Sequence, residues 1–543
     1  MNETTTRYGG HVVDQLGVAP GWSWTQVAPP SSLVGANGLV FGPDGDLYVA
    51  EGHGSEISAI NTRDGSVRNI SRSDDPIECP DDLAFGADGT MYVTEFALGR
   101  VSMRHPGGEV SVLDADVPSA NGVTTHGDRV FVDEFRPGGR IMELYPDGRE
   151  RRVIAEGVDW PNGLAVGPDY HLYYPSVFAG ELWKVGIDAG SPERVASGLS
   201  SPTAVKFSPE GELYASLAGG DVLRVDPRSG STVVVASLPQ GTDNLAFRRD
   251  GWLFVSNQLN GSIVGIDHDG ASAVLISPGL VGPFGIDVAP DGTICAADAL
   301  SYAVLRQDGV IDRPASVSIP GFPGVLRSVT YLSDGRLALG TTAGGIAVYR
   351  PGSDAQFLAK GINGLMGITS TRDGAIIAAA SESGEILRVD TTGVAVLATG
   401  LARPMGVAVT EDGGVIVSES GSGQLRYFNP DGSSKLLLTG LGEPHGVAAS
   451  GDDAYVIDRQ TRELHHVALS GRIPSSVIAN NVPVGPAAGV GETIVAGLPG
   501  LAPGPWLPFA DLAIAPDGSV VVGCDGSGGI IAVKREPEKS SVD

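Results

Sequence analysis

Short apolar segments separated by turn residues recur along the whole chain, and their pattern is that of β-strands. An apolar run of about five residues meets a turn of the form x-Asp-Gly, and a second run such as LYVAE or MYVTE follows. Such turns supply the positive φ angles of a tight hairpin, so each pair of runs predicts a β-hairpin. A third stretch (ELWKVGI, DVLRVDP) and a fourth (RRVIAEG, TVVVASL) come after Gly-rich loops. The pattern predicts an all-β chain without helices.

The hairpin phrase occurs twelve times, with a period of about 41 residues that is typical of repeat arrays and propellers. The copies begin at residues 37, 81, 121, 162, 203, 243, 284, 327, 366, 405, 445 and 510. Four strands per repeat of this length are typical of one propeller blade. The aspartates of the turns, such as Asp44, Asp88, Asp291 and Asp517, are predicted to be turn formers without a chemical role.

Twelve blades exceed a comfortable single ring, so we predict two tandem six-bladed β-propellers. The first spans residues 1–270, and the second spans residues 271–543 with a Gly- and Pro-rich insertion at 480–508. A lone strand at 23–29 precedes the first copy, and the last copy has three strands. We expect strand 23–29 to complete the blade that begins at Asp243 and strand 272–278 to complete the blade that begins at Ala510. Each propeller would then be closed by its own first and last segments, without open edges.

Composition restricts the partners. The 64 acidic residues outnumber the 36 basic ones and give a net charge of −28, which repels nucleic acids and anionic membranes. The three cysteines (Cys79, Cys295 and Cys524) lie far apart, which argues against a disulfide framework and favours a reduced, cytoplasmic setting. No secretion signal and no apolar run long enough for a membrane span is found. A small-molecule substrate is the expected partner.

The first residue of each copy is expected at the channel mouth, because the first strand of a blade lines the central channel. In residues 1–270 all six of these positions carry a side-chain oxygen. They are Asn37, Asp81, Asn121, Asn162, Thr203 and Asp243. A circle of amide and carboxylate oxygens is typical of a site for a hard divalent cation. Ca²⁺ is favoured, with Zn²⁺, Mg²⁺ and Mn²⁺ as alternatives; Asn37, Asn121, Asn162 and Asp243 are the candidate ligands.

The loop after each second strand is expected at the same mouth. Glu51, Glu95 and Glu134 share one position in three consecutive copies, and Asn257 takes it in the sixth. Clustered carboxylates require a metal, shared protons or solvent, so they are candidate ligands or general bases. Glu134, Asp81 and Asp243 are the candidate catalytic residues, and the alternative for the three glutamates is a set of solvated loop acids. The expected substrate contacts are Glu51, Glu95, Asn257, His53, Phe96, Phe135, Trp160 and Phe178.

The mouth positions of the second half are mostly apolar: Phe284, Arg327, Met366, Met405, His445 and Ala510. His445 could form an acid/base pair with a carboxylate near neutral pH, and the candidates for such a second site are His445, Arg327, Glu419 and Asp458. The alternative is a hydrogen-bonded channel histidine.

The phrases ANGLVFGPDGDLYVAE, SANGVTTHGDRVFVDE and PNGLAVGPD resemble those of the six-bladed gluconolactonase/SMP-30/LRE-type propellers. NHL-repeat, strictosidine synthase and streptogramin lyase propellers are similar more distantly. The period extends over nearly the whole chain, but the metal-site likeness covers only residues 1–270. The resemblance implies one divalent cation at the mouth, bound by Glu from the first blade, Asn from the third and fourth, and Asp from the fifth.

At the positions that match this motif, the two amides are Asn121 and Asn162, whereas Asn37 replaces the Glu and Thr203 replaces the Asp. Either a cation is shifted toward Asp81 and Asp243, or the ring binds substrate by hydrogen bonds without an ion. Three functions follow: a metal-dependent hydrolase of a lactone or related ester, which we favour; a lyase in which a carboxylate or His removes an α-proton; and a scaffold that binds a protein or glycan.

Overall fold

Antiparallel β-sheets make up the whole of the described structure. The computed structural model describes residues 15–72, 75–188, 190–317, 319, 321–485 and 509–537. Within these ranges the strands are β1 to β49, arranged in twelve sheets, and no helix is present. Consequently no helix in this part of the chain could span a membrane. The all-β fold and the twelve-fold repeat predicted from the sequence are confirmed.

The first six repeats form six four-stranded sheets, which we name N1 to N6. Their strands are, for N1, β3 (Leu39–Phe41), β4 (Leu47–Glu51), β5 (Glu56–Ile60) and β6 (Val67–Ser71); for N2, β7 (Pro80–Phe85), β8 (Met91–Glu95), β9 (Arg100–Arg104) and β10 (Val110–Asp114); for N3, β11 (Ala120–His126), β12 (Arg129–Glu134), β13 (Gly139–Leu144) and β14 (Arg152–Val158); for N4, β15 (Ala165–Val166), β16 (His171–Ser176), β17 (Glu181–Gly186) and β18 (Glu193–Ser197); for N5, β19 (Pro202–Phe207), β20 (Leu213–Leu217), β21 (Asp221–Val225) and β22 (Thr232–Ser237); and for N6, β23 (Thr242–Phe247), β24 (Leu253–Asn257), β25 (Ile263–Ile266) and β26 (Ser272–Ile276).

The remaining repeats form sheets C1 to C6. Their strands are, for C1, β27 (Pro283–Val288), β28 (Ile294–Asp298), β29 (Ser301–Leu305) and β30 (Ile311–Ser316); for C2, β31 (Leu326–Tyr331), β32 (Leu337–Thr341), β33 (Ile346–Tyr349) and β34 (Gln356–Ala359); for C3, β35 (Leu365–Ser370), β36 (Ile376–Ala380), β37 (Glu385–Asp390) and β38 (Gly393–Ala398); for C4, β39 (Pro404–Val409), β40 (Val415–Glu419), β41 (Gln424–Phe428) and β42 (Ser434–Thr439); for C5, β43 (Pro444–Ser450), β44 (Asp453–Asp458), β45 (Glu463–Ala468), β46 (Ser476–Asn480) and β1 (Gly17–Val18); and for C6, β47 (Leu512–Ile514), β48 (Val520–Cys524), β49 (Gly529–Arg535) and β2 (Trp22–Ala28). The predicted insertion at 480–508 lies, from residue 486 onward, outside the described residues.

The Asp-Gly turns have the role that the sequence predicts. Asp88 Oδ1 accepts the Thr90 N–H at 3.0 Å, and Asp291 Oδ1 accepts the Thr293 N–H at 2.9 Å. Gly89, between the two N2 strands, has a φ of 84°, which a residue with a Cβ adopts only with strain. These turns fix the hairpin register that separates buried from exposed positions along each strand.

Neighbouring sheets face one another across apolar clusters, and in each half the series returns to its start. The first strands β3, β7, β11, β15, β19 and β23 contact one another in this order, and β23 also contacts β3. Leu39 and Leu47 of N1 share one buried cluster with Phe254 and Ile263 of N6. Burial of each such side chain contributes roughly 1.5–3 kcal/mol. The first strands of the C-terminal half contact one another in the same cyclic manner, from β27 to β47 and back to β27.

The N-terminal strand contradicts one prediction. β2 pairs with β49, with Trp24 opposite Val533, so it completes C6 and not the sheet that begins at Asp243. β26, which was expected to complete C6, pairs with β25 inside N6. The physical reason is that strand 272–276 reaches its neighbour through a short hairpin, which costs little loop entropy. Within the described residues, which end at 537, no strand after β49 is present to complete the last sheet. The prediction that each ring is closed by its own first and last segments is therefore wrong.

Candidate active site

Six oxygen-bearing side chains, one from each N-terminal sheet, line a single cavity. They are Asn37, Asp81, Asn121, Asn162, Thr203 and Asp243. The cavity has a volume of about 380 Å³, which is within the range of small-molecule sites. The predicted rim residues His53, Phe96, Phe135, Trp160 and Phe178 line the same cavity. The structure therefore brings together most of the candidate residues of the N-terminal half.

A repeated backbone bend leads into these six positions. The residue two places before each has a left-handed φ. These residues are Gly35 (76°), Cys79 (48°), Ser119 (55°), Trp160 (52°), Ser201 (49°) and Gly241 (100°). For a residue with a Cβ this conformation costs about 1 kcal/mol, and four of the six carry one. Strained backbone of this kind clusters at ligand sites, and only the two glycines give a sequence signal for it.

The glycine of the recurring Asn-Gly pair lets neighbouring first strands approach closely. A Cβ on Gly38 would lie 2.5 Å from Asp82 Cα, and a Cβ on Gly163 would lie 2.8 Å from Ala204 Cα. Neither distance is possible for real side chains, so the glycine is required by packing. The amide before it is left to line the cavity.

Asn37 and Asp81 are joined across sheets N1 and N2. Asn37 Nδ2 donates to Asp81 Oδ1 at 3.3 Å. Among the described residues, the buried Oδ1 atoms of Asn37 and Asn121 have no hydrogen-bond partner. A buried acceptor without a donor costs roughly 1–3 kcal/mol unless water or a ligand satisfies it. Both oxygens are therefore available to a donor or a cation.

The other two uncharged positions are partly engaged by the protein. Asn162 Oδ1 accepts the N–H of Gly163 at 2.7 Å. Thr203 Oγ1 lies 2.8 Å from Ser216 Oγ and donates weakly to Thr242 O at 3.4 Å. Thr203 thus holds first and second strands together, and its hydroxyl is a weaker candidate for ligand binding than the amides.

The two carboxyl groups of the cavity retain protons more strongly than free aspartates. Burial, together with the negative charge of Asp82, raises the pKa of Asp81 to about 7. The hydrogen bond from Asn37 acts in the opposite direction and lowers this pKa. Burial and the charges of Asp81 and Asp82 hold the pKa of Asp243 well above its ordinary value. A pKa near 7 suits a general base that works at neutral pH.

Two further buried acids lie just behind the cavity wall, and sequence reasoning missed both. Asp82 accepts from Asn244 Nδ2 and from Val123 N–H, each at 3.1 Å. Asp133 Oδ1 accepts the Gly122 N–H at 3.0 Å. Burial raises the pKa of both carboxyls. Asp82 follows the candidate Asp81, and Asp133 precedes the candidate Glu134. Nothing in the sequence distinguishes either aspartate from a turn former.

The aromatic rim comes from loops of N2, N3 and N4. Phe135 meets Trp160 edge-on with ring centroids 5.1 Å apart, and Trp160 meets Phe178 edge-on at 4.8 Å. The ring centroids of Phe96 and Phe135 lie 6.4 Å apart. Phe178 remains 65% exposed, so one face of this group is open to a ligand.

The three glutamates predicted at the mouth lie behind it. They are buried and are not among the cavity-lining residues, so the structure lends no support to their predicted roles as base and substrate contacts. Glu134 binds Arg136 Nη2 at 2.6 Å and also pairs with Arg140. Burial opposes ionisation, but these guanidinium groups hold the pKa of Glu134 below its ordinary value. An ionised, fully paired carboxylate is a poor proton acceptor.

Glu51, Glu95 and Asn257 fix the loop that precedes the first strand of their own sheet. Glu51 accepts the Val34 N–H at 2.7 Å, and Glu95 accepts the Glu78 N–H at 2.7 Å. Asn257 Nδ2 instead donates to Gln240 O at 2.9 Å. These residues recur at one position of the repeat because each makes this contact with the preceding loop. The repeat period alone does not distinguish such a position from one that binds a ligand.

The second-half candidates Glu419, Asp458 and His445 are each engaged in other contacts. Glu419 accepts the Ala402 N–H at 3.0 Å, and Asp458 accepts the Gly442 N–H at 2.6 Å, the same loop contact as in the N-terminal half. His445 is buried, stacks on Phe509 with centroids 5.8 Å apart, and faces Glu443 at 3.8 Å rather than the predicted partners. Burial lowers the pKa of His445, so the imidazole is neutral at pH 7.

The remaining mouth positions of that half are filled by apolar side chains. Phe284, Met366 and Met405 belong to one buried cluster with Phe509 and with Val34 of the N-terminal half. Arg327 is buried as well, donates to Leu365 O at 2.9 Å, and has its pKa lowered to about 10 by burial. The proposed acid/base pair of the second half is not supported by this packing.

Clusters of metal-binding side chains do not by themselves reveal a metal site in the described part of the chain. Among the described residues, no three His, Cys, Asp or Glu side chains are grouped so that they could hold an ion. The donors around the cavity are two carboxylates and three amides, which together are the oxygen donors that Ca²⁺ accepts. The unsatisfied oxygens of Asn37 and Asn121 fit such an ion.

The chain is similar to known proteins through its N-terminal half. Residues 18–258 match the family described as SMP-30/Gluconolactonase/LRE-like region. This confirms the resemblance inferred from the sequence for that stretch, which ends in N6. The C-terminal half lies outside the match.

Individual relatives are similar at low identity. A gluconolactonase of Zymomonas mobilis subsp. mobilis (strain ATCC 31821 / ZM4 / CP4) is 26% identical over 245 residues, which are 42% of this chain and 62% of the relative. The protein Strictosidine synthase-like 6 of Arabidopsis thaliana is 24% identical over 162 residues, 25% of this chain and 44% of that protein. The chain thus spans less than two thirds of either relative. A streptogramin B lyase structure is 15% identical with a TM-score of 0.38, covering 51% of this chain and 94% of that one.

Proposed function

We infer that the N-terminal half is a hydrolase that opens a lactone or a related ester in the cavity described above. The observation that carries this proposal is the arrival of six oxygen-bearing side chains from six sheets in one cavity, with Asp81 and Asp243 among them. The family match over residues 18–258 and the likeness to a gluconolactonase support the reaction class.

The same proposal includes the architecture. The cyclic contacts among the first strands favour two six-bladed propellers, one from sheets N1 to N6 and one from C1 to C6. The predicted boundary near residue 270 is kept, whereas β1 and β2, which the prediction placed in the first domain, are assigned to the second. A cytoplasmic setting, for which the three scattered cysteines argue, and a small-molecule partner also belong to the proposal. The net charge of −28 favours a partner that is neither nucleic acid nor an anionic membrane.

A divalent cation is part of the proposed site, with Ca²⁺ first and Zn²⁺, Mg²⁺ or Mn²⁺ as alternatives. Asn37, Asn121, Asn162 and Asp243 would hold it. When bound, such an ion polarises a carbonyl group and lowers the pKa of a bound water. The replacement of two family ligands by Asn37 and Thr203 leaves the carboxylates on Asp81 and Asp243 as the charges that would favour its binding.

The protein's own groups have assigned roles in the hydrolysis. Asp81, with a pKa of about 7, takes a proton from the attacking water as its oxygen bonds to the carbonyl carbon. The ester C–O bond then breaks, and the proton passes to the departing oxygen, giving a hydroxy acid. The aromatic rim around Trp160 holds the organic part of the substrate and reduces access of bulk water.

The test uses the purified full chain and a panel of lactones and aryl esters, including gluconolactone. Acid release is followed in a pH-stat with EDTA and after addition of each of the four cations, and products are weighed by mass spectrometry. A hydrolase adds the mass of one water to its product, whereas a lyase does not. Loss of acid release in Asp81→Asn and Asn121→Ala, with activity kept in Asp88→Asn, supports the proposal.

Two outcomes would contradict it. The first is a folded protein that releases no acid from any member of the panel under any metal condition. The second is hydrolysis that persists at the wild-type rate in an Asp81→Asn, Asp243→Asn double variant. Cation binding is measured separately as a rise in melting temperature, since a ligand at 100 times its Kd stabilises a protein by about 2.7 kcal/mol.

A further inference from the structure

The wall of the candidate active site is built by both halves of the chain. Beside the six oxygen-bearing residues of sheets N1 to N6, the cavity is lined by Leu300, Phe322 and Val325, which belong to loops of C1 and C2. No repeat signal in the sequence connects these loops with the first half. The second half is therefore part of the site and not only its neighbour along the chain.

These three side chains are fixed in place by packing. Leu300 and Val325 form a buried apolar cluster with Leu259, which lies after the second strand of N6. Phe322 stacks on Tyr302 at 6.4 Å and meets Tyr349 edge-on at 5.4 Å. A wall held this way is preformed, so a ligand that lies against it pays little ordering cost.

The wall contributed by the second half and the aromatic loops are anchored on different sheets of the first half. The wall is anchored on N6, whereas Phe135 follows the second strand of N3 and Trp160 lies in the loop before N4, which are three and two places from N6 in the cyclic order of first strands. The polar groups come from the starts of the first strands. The cavity thus combines six oxygen-bearing positions with two groups of apolar side chains, one from each half of the chain.

We propose that the substrate carries a bulky apolar group, aromatic or branched aliphatic, beside its lactone or ester, and that the C-terminal half selects for this group through Leu300, Phe322 and Val325. A sugar lactone presents hydroxyls on every side, and against these walls the hydroxyls would lose water without gaining partners. An apolar substituent gains by the same contact. The identity of the reaction rests on the proposed function, whereas binding of the apolar group does not depend on it.

The experiment compares two lactones and one uncleavable analogue on the full chain. γ-Phenyl-γ-butyrolactone is the apolar probe, δ-gluconolactone is the polar probe, and the lactam 5-phenylpyrrolidin-2-one binds without being opened. The variants are Phe322→Ala and Val325→Thr. The second is isosteric, because it replaces one methyl group by a hydroxyl of similar size. Phe357→Ala on β34 of the same sheet is the matched control, because Phe357 is exposed and does not line the cavity.

We expect kcat/KM for the phenyl lactone to exceed that for gluconolactone in the wild type, and to fall roughly tenfold in Phe322→Ala and in Val325→Thr. The gluconolactone rate should change less than twofold, and Phe357→Ala should match the wild type. Calorimetry should show the same loss of affinity for the lactam. Thermal melts identify a variant that fails to fold, in which case the other variant decides.

The binding arm separates this inference from the proposed function. Lactam binding that weakens in the wall variants supports the inference even if no lactone is opened. The inference is overturned if the wild type does not bind the lactam, if it prefers gluconolactone, or if folded wall variants treat all three probes as the wild type does.

Discussion

Asn37 donates its side-chain amide to the carboxylate of Asp81 at 3.3 Å, although the two residues are 44 positions apart and belong to different sheets. The bond leaves Asn37 Oδ1 without a partner and opposes, without cancelling, the effect of burial on the pKa of Asp81. An unpaired amide oxygen and a carboxyl whose pKa burial raises to about 7 therefore lie side by side in the cavity wall.

If Asp81 is the general base, its ionisation controls the rate. A base acts only when deprotonated, so kcat/KM for a hydrolysed lactone should rise with pH through about 7 and then level off. Asp81→Asn should lower the plateau by about 10²–10⁴-fold and abolish this rise. A pH-rate profile of both proteins, with Asp88→Asn as the control in the same sheet, checks it. An unchanged profile in Asp81→Asn would assign the base elsewhere.

Asp511 should make the protein less stable at alkaline pH. Burial raises its pKa to about 8, although the Ile286 N–H donates to it at 3.3 Å. The folded state therefore binds this proton more tightly than the unfolded state, and its contribution to stability is lost as the pH rises from about 4 to about 8. Asp511→Asn should raise stability at pH 8.5 by a few kcal/mol and have little effect at pH 4.

Asp517 is the opposite-sign control for this measurement. Its pairing with Lys534 lowers its pKa to about 2, so its stabilising effect is present at neutral pH and lost in strong acid. Asp517→Asn should lower stability by a nearly constant amount between pH 4 and 9 and so leave the slope of stability against pH nearly unchanged in that range. Urea unfolding across pH 4 to 9 measures both variants, and equal alkaline curves for wild type and Asp511→Asn would contradict the prediction.

Glu134 is predicted to contribute to the stability of the fold and not to catalysis. Glu134→Gln leaves the guanidinium groups of Arg136 and Arg140 without their buried counter-charge, which should cost about 1–3 kcal/mol. Thermal melting measures the loss, and Glu156→Gln on exposed β14 of the same sheet serves as the control. The midpoint of the pH-rate profile should stay where the wild type has it. A shifted midpoint with unchanged melting would restore Glu134 as a catalytic candidate.

Removal of residues 1–29 should destabilise the C-terminal half. β2 covers β49, and without it C6 exposes a free strand edge, which is a route to aggregation. We expect a lower melting temperature and oligomers in size-exclusion chromatography. A synthetic peptide of residues 15–29 should reverse both effects, whereas a scrambled peptide should not. Normal melting of the truncated chain would show that the pairing contributes nothing to stability.

The sequence alone determined the features that repeat. Alternation and Asp-Gly turns specify hairpins locally, so the strands, the twelve-fold period and the turn role of Asp88 and Asp291 could be predicted without coordinates. The alignment of Asn37, Asp81 and Asp243 at one position of each repeat likewise predicted their meeting, because equivalent strands of equivalent sheets point to a common axis.

Only the tertiary structure decided which groups face the cavity and which strand completes each sheet. Glu134 and Asp81 look equally suitable in sequence, yet one is neutralised by arginines that follow it in the chain and the other stays half-paired in the cavity wall. The same holds for β2, which joins C6, and for Phe322, which reaches the cavity of the other half. Period and polarity are local properties of the chain. Burial and the partner of an edge strand depend instead on residues that can lie hundreds of positions away, and ion pairing depends on how the folded backbone orients even near neighbours such as Glu134 and Arg140.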